Sequence, residues 1–220
     1  MVVVNGTLAP NLHISEWVQG KPTNIDENRG KVILVEVFQV NCPGCFLYGI
    51  PSAIELYQKH SKNDLIVLGL ATAFEDYDKN TIANLRLLLE EGKVIGETKS
   101  ALQNYGQLKN GEFLQYNIPF PVAMDLIHPE TKEISNSRVW DFIEEHFPEH
   151  RQYNERDKNN LYQRVKEYLE NKKFSALTFD KYGLRGTPSA IIIDKKGILR
   201  NTIFGADESI GYIVNQLINE

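Results

Sequence analysis

Residues 31–38 read KVILVEVF, a run in which only Lys31 and Glu36 are not apolar. A strand with one wet face alternates apolar and polar residues. A near-continuous run rich in Val and Ile belongs instead to a central strand covered on both faces. DLIVLGLAT (64–72) is a second run of the same kind. Between them, FLYGIPSAIELYQKH (46–60) places Leu47, Ile50, Ile54 and Leu56 at helical spacing, with Pro51 expected to kink the helix. Residues 31–72 therefore read as strand–helix–strand, and such a crossover makes the two strands parallel. The class this dictates is α/β.

The other segments extend that frame. APNLHISEWVQGKPTNIDENRG (9–30) mixes short apolar pieces with turn residues, and a hairpin leading into the sheet is expected there. TIANLRLLLEEG (81–92) reads as a helix with Gly92 as its C-cap. Residues 93–113 read as helix and loop, and IPFPVAMD (118–125) as a short strand whose prolines confine its first half to an edge or an entry. From 129 to 175 charge and asparagine become dense, while Val139, Phe142, Ile143, Leu161, Val165, Tyr168 and Leu169 fall at helical spacing. This predicts an inserted pair of surface helices in a single domain spanning 1–220, with a smaller insertion at about 93–116. AIIID (190–194), a turn at KKG and ILRNTIFG (198–205) form a hairpin, and ESIGYIVNQLINE closes the chain as an amphipathic helix. There are no internal repeats and no low-complexity tract.

Composition narrows the partners. A formal charge of -5 and a pI near 5.6 argue against a nucleic-acid or anionic-membrane surface, both of which prefer a basic face. The N-terminus MVVVNGTLAP has no basic region and no long apolar core, so it does not read as a secretory signal. No stretch approaches the length of a membrane span. With Met1 as the native start the expected compartment is the cytoplasm; removal of a leader would make it the periplasm.

The only two cysteines, Cys42 and Cys45, stand two residues apart directly after the first apolar run. A stapling disulfide joins distant segments, because closing a longer loop removes more entropy from the unfolded chain. This pair closes almost nothing, and its spacing suits a bond that forms and breaks. Cys42 falls where a strand ends and a helix begins, where unpaired N–H groups and the helix dipole favour a thiolate. The thiolate is the species that attacks a disulfide, and Cys45, one turn further in, can attack the resulting mixed disulfide.

ILVEVFQVNCPGC resembles the active-site strand and helix start of the thioredoxin superfamily. FDKYGLRGTPSAIIIDKKGILR (179–200) resembles its second signature, the segment carrying a cis-proline beside the active-site disulfide. The lead GTLAPNLHISEWVQG is more like the TlpA-type redoxin branch than thioredoxin itself. The resemblance covers roughly 6–75 and 117–220. It implies a thioredoxin-like fold, a central mixed sheet flanked by helices. Cys42 takes the attacking position, Cys45 the resolving one and Pro188 the cis-proline position, with the backbone of Thr187 pairing with an extended substrate. Glu36, six residues before Cys42, stands where thioredoxin has a buried aspartate. A buried carboxyl there has a raised pKa and could take the proton of Cys45. Asn41 replaces the usual aromatic residue before the first cysteine, and Pro43-Gly44 reverses thioredoxin's Gly-Pro. Asn41, Pro43 and Gly44 would line the substrate together with Thr187. The implied function is a thiol–disulfide oxidoreductase that reduces protein or small-molecule disulfides with electrons from a thiol donor of the thioredoxin or glutathione kind, without a cofactor or a metal.

Two other functions compete. A peroxiredoxin-like peroxidase carries P-x-x-x-[TS]-x-x-C, but counting back from Cys42 gives Val35 and Gln39 where proline and Thr/Ser belong. A binding or chaperone module would keep the fold and dock a partner through the insertion. The bland readings of single features are half a zinc site for the cysteines, a polar-cavity strand residue for Glu36 and an ordinary trans proline for Pro188. His146 and His150 could face a metal from one helix, but Pro148 breaks that helix and a solvated loop is the expectation. The aromatic residues Tyr162, Tyr168 and Phe174 read as packing, and Asn5-Gly6-Thr7 as a glycosylation acceptor without a secretory context.

Overall fold

The computed structural model describes residues 2–60, 64–130 and 134–220, so residues 131–133 of the expected insertion lie outside the described residues. In chain order the elements begin with β1 (Ile14–Gln19), β2 (Val32–Phe38), α1 (Ile50–His60), β3 (Leu65–Ala71), α2 (Ile82–Arg86) and α3 (Gly96–Asn104). There follow the two-residue strands β4 (Leu108–Lys109) and β5 (Phe113–Leu114), then β6 (Val122–Asp125) and β7 (Ile127–Pro129). The chain continues through α4 (Asn136–His146), α5 (Glu155–Asn171), β8 (Phe174–Ala176) and α6 (Leu177–Lys181), and ends with β9 (Ser189–Ile193), β10 (Leu199–Phe204) and α7 (Ser209–Asn219).

The main sheet has six strands in the order β1-β6-β3-β2-β9-β10. β2 runs parallel to β3, from Val32 opposite Leu65 to Phe38 opposite Ala71, and antiparallel to β9 on its other side. All seven residues of β2 are buried, as its unbroken apolar run demands. Successive side chains point to opposite faces. Val32, Leu34 and Phe38 therefore enter a core shared with Phe46, Ile50 and Leu56 of the segment after the cysteines and with Val214 and Leu217 of α7. Ile33, Val35 and Val37 enter the opposite core, with Phe179, Tyr182, Ala9 and Leu12. Glu36 has the parity of Leu34 and Phe38, which puts its carboxyl on the face covered by the cysteine-bearing helix.

The architecture is thus α/β with a mixed central sheet flanked by helices, the thioredoxin-like arrangement expected from the sequence. Three local expectations are corrected. Residues 9–30 form no hairpin: β1 crosses to pair antiparallel with β6, about a hundred residues on, because the β6 edge offers buried backbone partners that a local turn does not. Residues 93–113 hold more than helix and loop. Asn110 and Gly111 both have positive φ, 51° and 72°, and turn β4 back on β5, the Asn-Gly hairpin geometry. The strand within 118–125 begins only at Val122, after Pro121, and lies inside the sheet between β1 and β3.

Two compact units can be distinguished: one is Val3–Ile127 with Ala176–Glu220, the other is built on His128–Ser175. The second holds the expected helix pair. Ser135 caps α4 by accepting from Arg138 N–H, and Asn154 caps α5 by accepting from Asp157 N–H. Val139 and Ile143 pack on Val165 and Leu169. His150 is not in a solvated loop as expected: it is buried, with Nε2 3.1 Å from Glu144 and Nδ1 2.8 Å from the Phe147 carbonyl.

Candidate redox site

β2 ends at Phe38, and the chain turns through Gln39–Asn41 into a helix whose first turn contains Pro43 and Gly44. Proline is well suited there, since a first-turn residue has no N–H partner to lose. Cys42 and Cys45 form a disulfide, with Cα atoms 5.4 Å apart. Their environments differ. Cys45 is fully buried at 0% exposure, whereas Cys42 is only half-buried and stays within reach of a solute. The Cys45 N–H donates to Cys42 Sγ at 3.2 Å, a bond that strengthens if that sulfur becomes a thiolate. A π-helical turn, Cys45–Gly49, then leads into α1, and Pro51 falls in the first turn of α1.

The second signature meets the first here. The Thr187–Pro188 peptide is cis, and the Thr187 carbonyl oxygen lies 3.5 Å from Cys42 Sγ. Ser189 Oγ donates to the Gly186 carbonyl at 2.8 Å and steadies the turn into β9. Thr187 Oγ1 donates to Gln39 Oε1 at 3.3 Å, and Gln39 Nε2 donates to the Glu75 carbonyl at 3.3 Å. Gln39 thereby ties the end of β2, the proline segment and the loop after β3. It is 2% exposed, and no motif in the sequence marks it.

Glu36 lies beneath the same segment. It is 3% exposed, and its Oε1 has no hydrogen-bond partner. Burial pushes its carboxyl well above the usual range, because nothing replaces the solvation it lost. Its cross-strand neighbours are Gly69 on β3 and Ala190 on β9, both small. Gly49 completes the packing: a Cβ there would overlap Glu36 Oε1 and come within 2.6 Å of Pro188 Cβ. A glycine inside an otherwise helical pattern is the signal that could have found it.

The sequence leads one to expect Asn41 against the substrate. Its side chain is instead a buried bracket: Nδ2 donates to Asp76 Oδ2 at 2.7 Å, and Oδ1 accepts the Glu97 N–H at 2.8 Å. Its own N–H donates to Asn80 Oδ1 at 3.0 Å. Two segments, the loop of Asp76 and Asn80 and the start of α3, are therefore anchored to the residue before Cys42. Pro43 and Gly44 are half-buried beside it, with Gly44 in ordinary contact with Pro188. Among the described residues no cluster of three His, Cys, Asp or Glu side chains could hold a metal ion.

No family model matches the sequence, and no curated protein matches it either. Solved structures do. One, a thioredoxin-like superfamily protein, is 26% identical over 98% of both chains with a TM-score of 0.59. Another, a thiol-disulfide isomerase from Corynebacterium glutamicum, is 27% identical over 98% of both chains with a TM-score of 0.62. A third, a protein disulfide isomerase candidate from Bacteroides thetaiotaomicron, shares the fold at 16% identity and a TM-score of 0.52, over 100% of this chain and 92% of its own.

Proposed function

We propose that this chain, a thioredoxin-superfamily protein, is a thiol–disulfide oxidoreductase that reduces disulfides through Cys42 and Cys45. The observation that carries the reading is the unequal burial of the two sulfurs beside the cis Thr187–Pro188 peptide. Only Cys42 can be met by a substrate; only Cys45 is protected from one. In the reduced protein the Cys42 thiolate attacks one sulfur of the substrate disulfide. A mixed disulfide forms, and the other substrate sulfur leaves as a thiolate that takes a proton from water. Cys45 then loses its proton and attacks Cys42 Sγ, which closes the Cys42–Cys45 bond and releases the second substrate thiol. Two electrons pass from the dithiol to the substrate, and a thiol donor of the thioredoxin or glutathione kind restores the dithiol.

The remaining site residues take roles consistent with this sequence of steps. Glu36, as the carboxylate, takes the Cys45 proton during resolution and is left neutral, the form its burial favours, once the disulfide is closed. The backbone of Thr187 pairs with an extended substrate segment, and Pro188, Pro43 and Gly44 shape the surface it meets. The N-terminal lead favours the TlpA-type branch, and the whole chain reads as one thioredoxin-like domain with the 129–175 helices inserted. No helix among the described residues is long and apolar enough to cross a membrane, and a reducing compartment, the cytoplasm, suits the proposed direction.

The test is a pair of serine variants assayed on hydroxyethyl disulfide and on a disulfide peptide. Cys42→Ser abolishes turnover. Cys45→Ser also stops turnover but accumulates a stable mixed disulfide at Cys42, seen as added mass that dithiothreitol removes. Turnover retained by Cys42→Ser, or adduct on Cys45 alone, overturns the reading.

A further inference from the structure

A cavity of about 470 Å³, within the size range of ligand pockets, opens beside Pro188. Glu36, Gly49, Pro188, Ser189 and Ala190 of the redox site are among its lining residues, yet neither cysteine lines it. Tyr48, 55% exposed, flanks its mouth. Glu55 on α1 and Asp207 and Glu208 at the entry to α7 form an exposed acidic rim, and no lysine, arginine or histidine lines the cavity. None of the ion pairs found among the described residues involves a carboxylate of this rim. The Ser209 hydroxyl and its N–H both donate to Asp207, which holds its carboxyl below the usual range and so keeps it charged at neutral pH.

An acidic rim alone is an ordinary solvated surface. The cavity differs in that Glu36, buried and with its Oε1 unpartnered, is among its lining residues. A buried acceptor without a donor leaves a free-energy penalty standing, and a ligand that brings an N–H group removes it. We propose that this cavity is a side-chain subsite of the redox site, accepting a lysine or arginine that flanks the reacting cysteine of a disulfide substrate. The cationic head pairs with the Glu55, Asp207 and Glu208 rim and points an N–H at the Glu36 carboxyl, while the aliphatic stem lies along Tyr48 and Pro188. Because Thr187, next to Pro188, faces Cys42 Sγ, a substrate chain passing the proline presents its cysteine to one side and a neighbouring side chain to the other. The inference rests on the oxidoreductase reading and names the class of substrate it would favour.

The experiment uses the full chain with dithiothreitol as the regenerating thiol. Its substrates are peptides with an internal disulfide, carrying lysine, norleucine or glutamate at each of the two positions flanking the first cysteine. Hydroxyethyl disulfide, which has no side chain for the cavity, is the reference. The expected kcat/KM order is lysine over norleucine over glutamate, with about tenfold between the extremes. In the E55Q/D207N/E208Q protein that ratio falls towards one while hydroxyethyl disulfide is reduced as before; Asp207→Asn keeps the acceptor for Ser209. A control with the same charge change elsewhere, E155Q/E167Q/E170Q, retains the preference. Equal kcat/KM for the three peptides, a preference that survives in the rim variant, or one lost equally in the control would each overturn the proposal. If hydroxyethyl disulfide is not reduced at all, the oxidoreductase reading fails. The cavity is then judged by titrating the same peptides with serine in place of cysteine: the same order of affinity supports it, and equal affinities sink it.

Discussion

Glu36 is a carboxyl group taken out of water with one oxygen left without a donor, and both conditions hold it in its neutral form. Its folded pKa lies above the ordinary glutamate value of 4.5, so in acid, below that value, it is neutral in the folded and the unfolded chain alike. As pH rises past it, the unfolded chain releases the proton and the folded chain does not, so the folded state loses stability relative to the unfolded one. Glu36→Gln removes that loss. Its melting temperature is expected to match the parent in acid and to exceed it increasingly towards neutral pH, while the resolution step slows. Thermal melts across pH with stopped-flow reduction of a mixed disulfide check both halves. A melting-temperature difference that does not change with pH contradicts the account. Gly49→Ala at the same contact forces Glu36 or Pro188 to move, at a cost of about 1–3 kcal/mol measured by denaturant unfolding. An unchanged midpoint would show that the close approach is relieved at no cost.

At the scale of elements, the junction between β2 and the cysteine helix is held by polar brackets rather than by apolar packing. Asn41 ties it to Asp76 and to the start of α3, and Gln39 ties it to Thr187 and the loop after β3. Asn41→Ala leaves the part-buried Glu97 N–H and the Asp76 carboxylate each without its Asn41 partner. A loss of about 1–3 kcal/mol is expected. The rate at which Cys42 is alkylated in the reduced protein is expected to change as well, while Asn41→Asp, which keeps the acceptor for Glu97, preserves more of the stability. Alkylation kinetics alongside chemical unfolding separate the two effects. The helix pair of the His128–Ser175 unit rests on a small core of its own, so Ile143→Ala is expected to cost about 2–5 kcal/mol. Hydrogen exchange in α4 and α5 reads that loss locally.

Over the whole molecule, legibility in the sequence depended on how local the signal was. The apolar runs of β2 and β3, the crossover between them and the β9–β10 hairpin are written in residue type and spacing, and the structure has them. The cysteine pair and the Thr187–Pro188 segment are short motifs with chemical meaning, and the fold brings them together across about 145 residues. The partner of β1 was illegible because strand pairing over a hundred residues leaves no local trace. Gln39, Gly49 and the Asn41 bracket were missed for a related reason: each matters through what lies opposite it. His150 reads as solvated because charged neighbours in sequence do not reveal that its ring turns inward.

Cys42 and Cys45 are proposed to form a reducing couple. That proposal is tested most directly by equilibrating the pair against glutathione and determining its reduction potential. A reducing couple is expected to give a value near that of thioredoxin, about -270 mV. A value towards about -120 mV would make the protein an oxidant, and a pair that does not close into a disulfide at all would contradict the assignment of this site to redox chemistry.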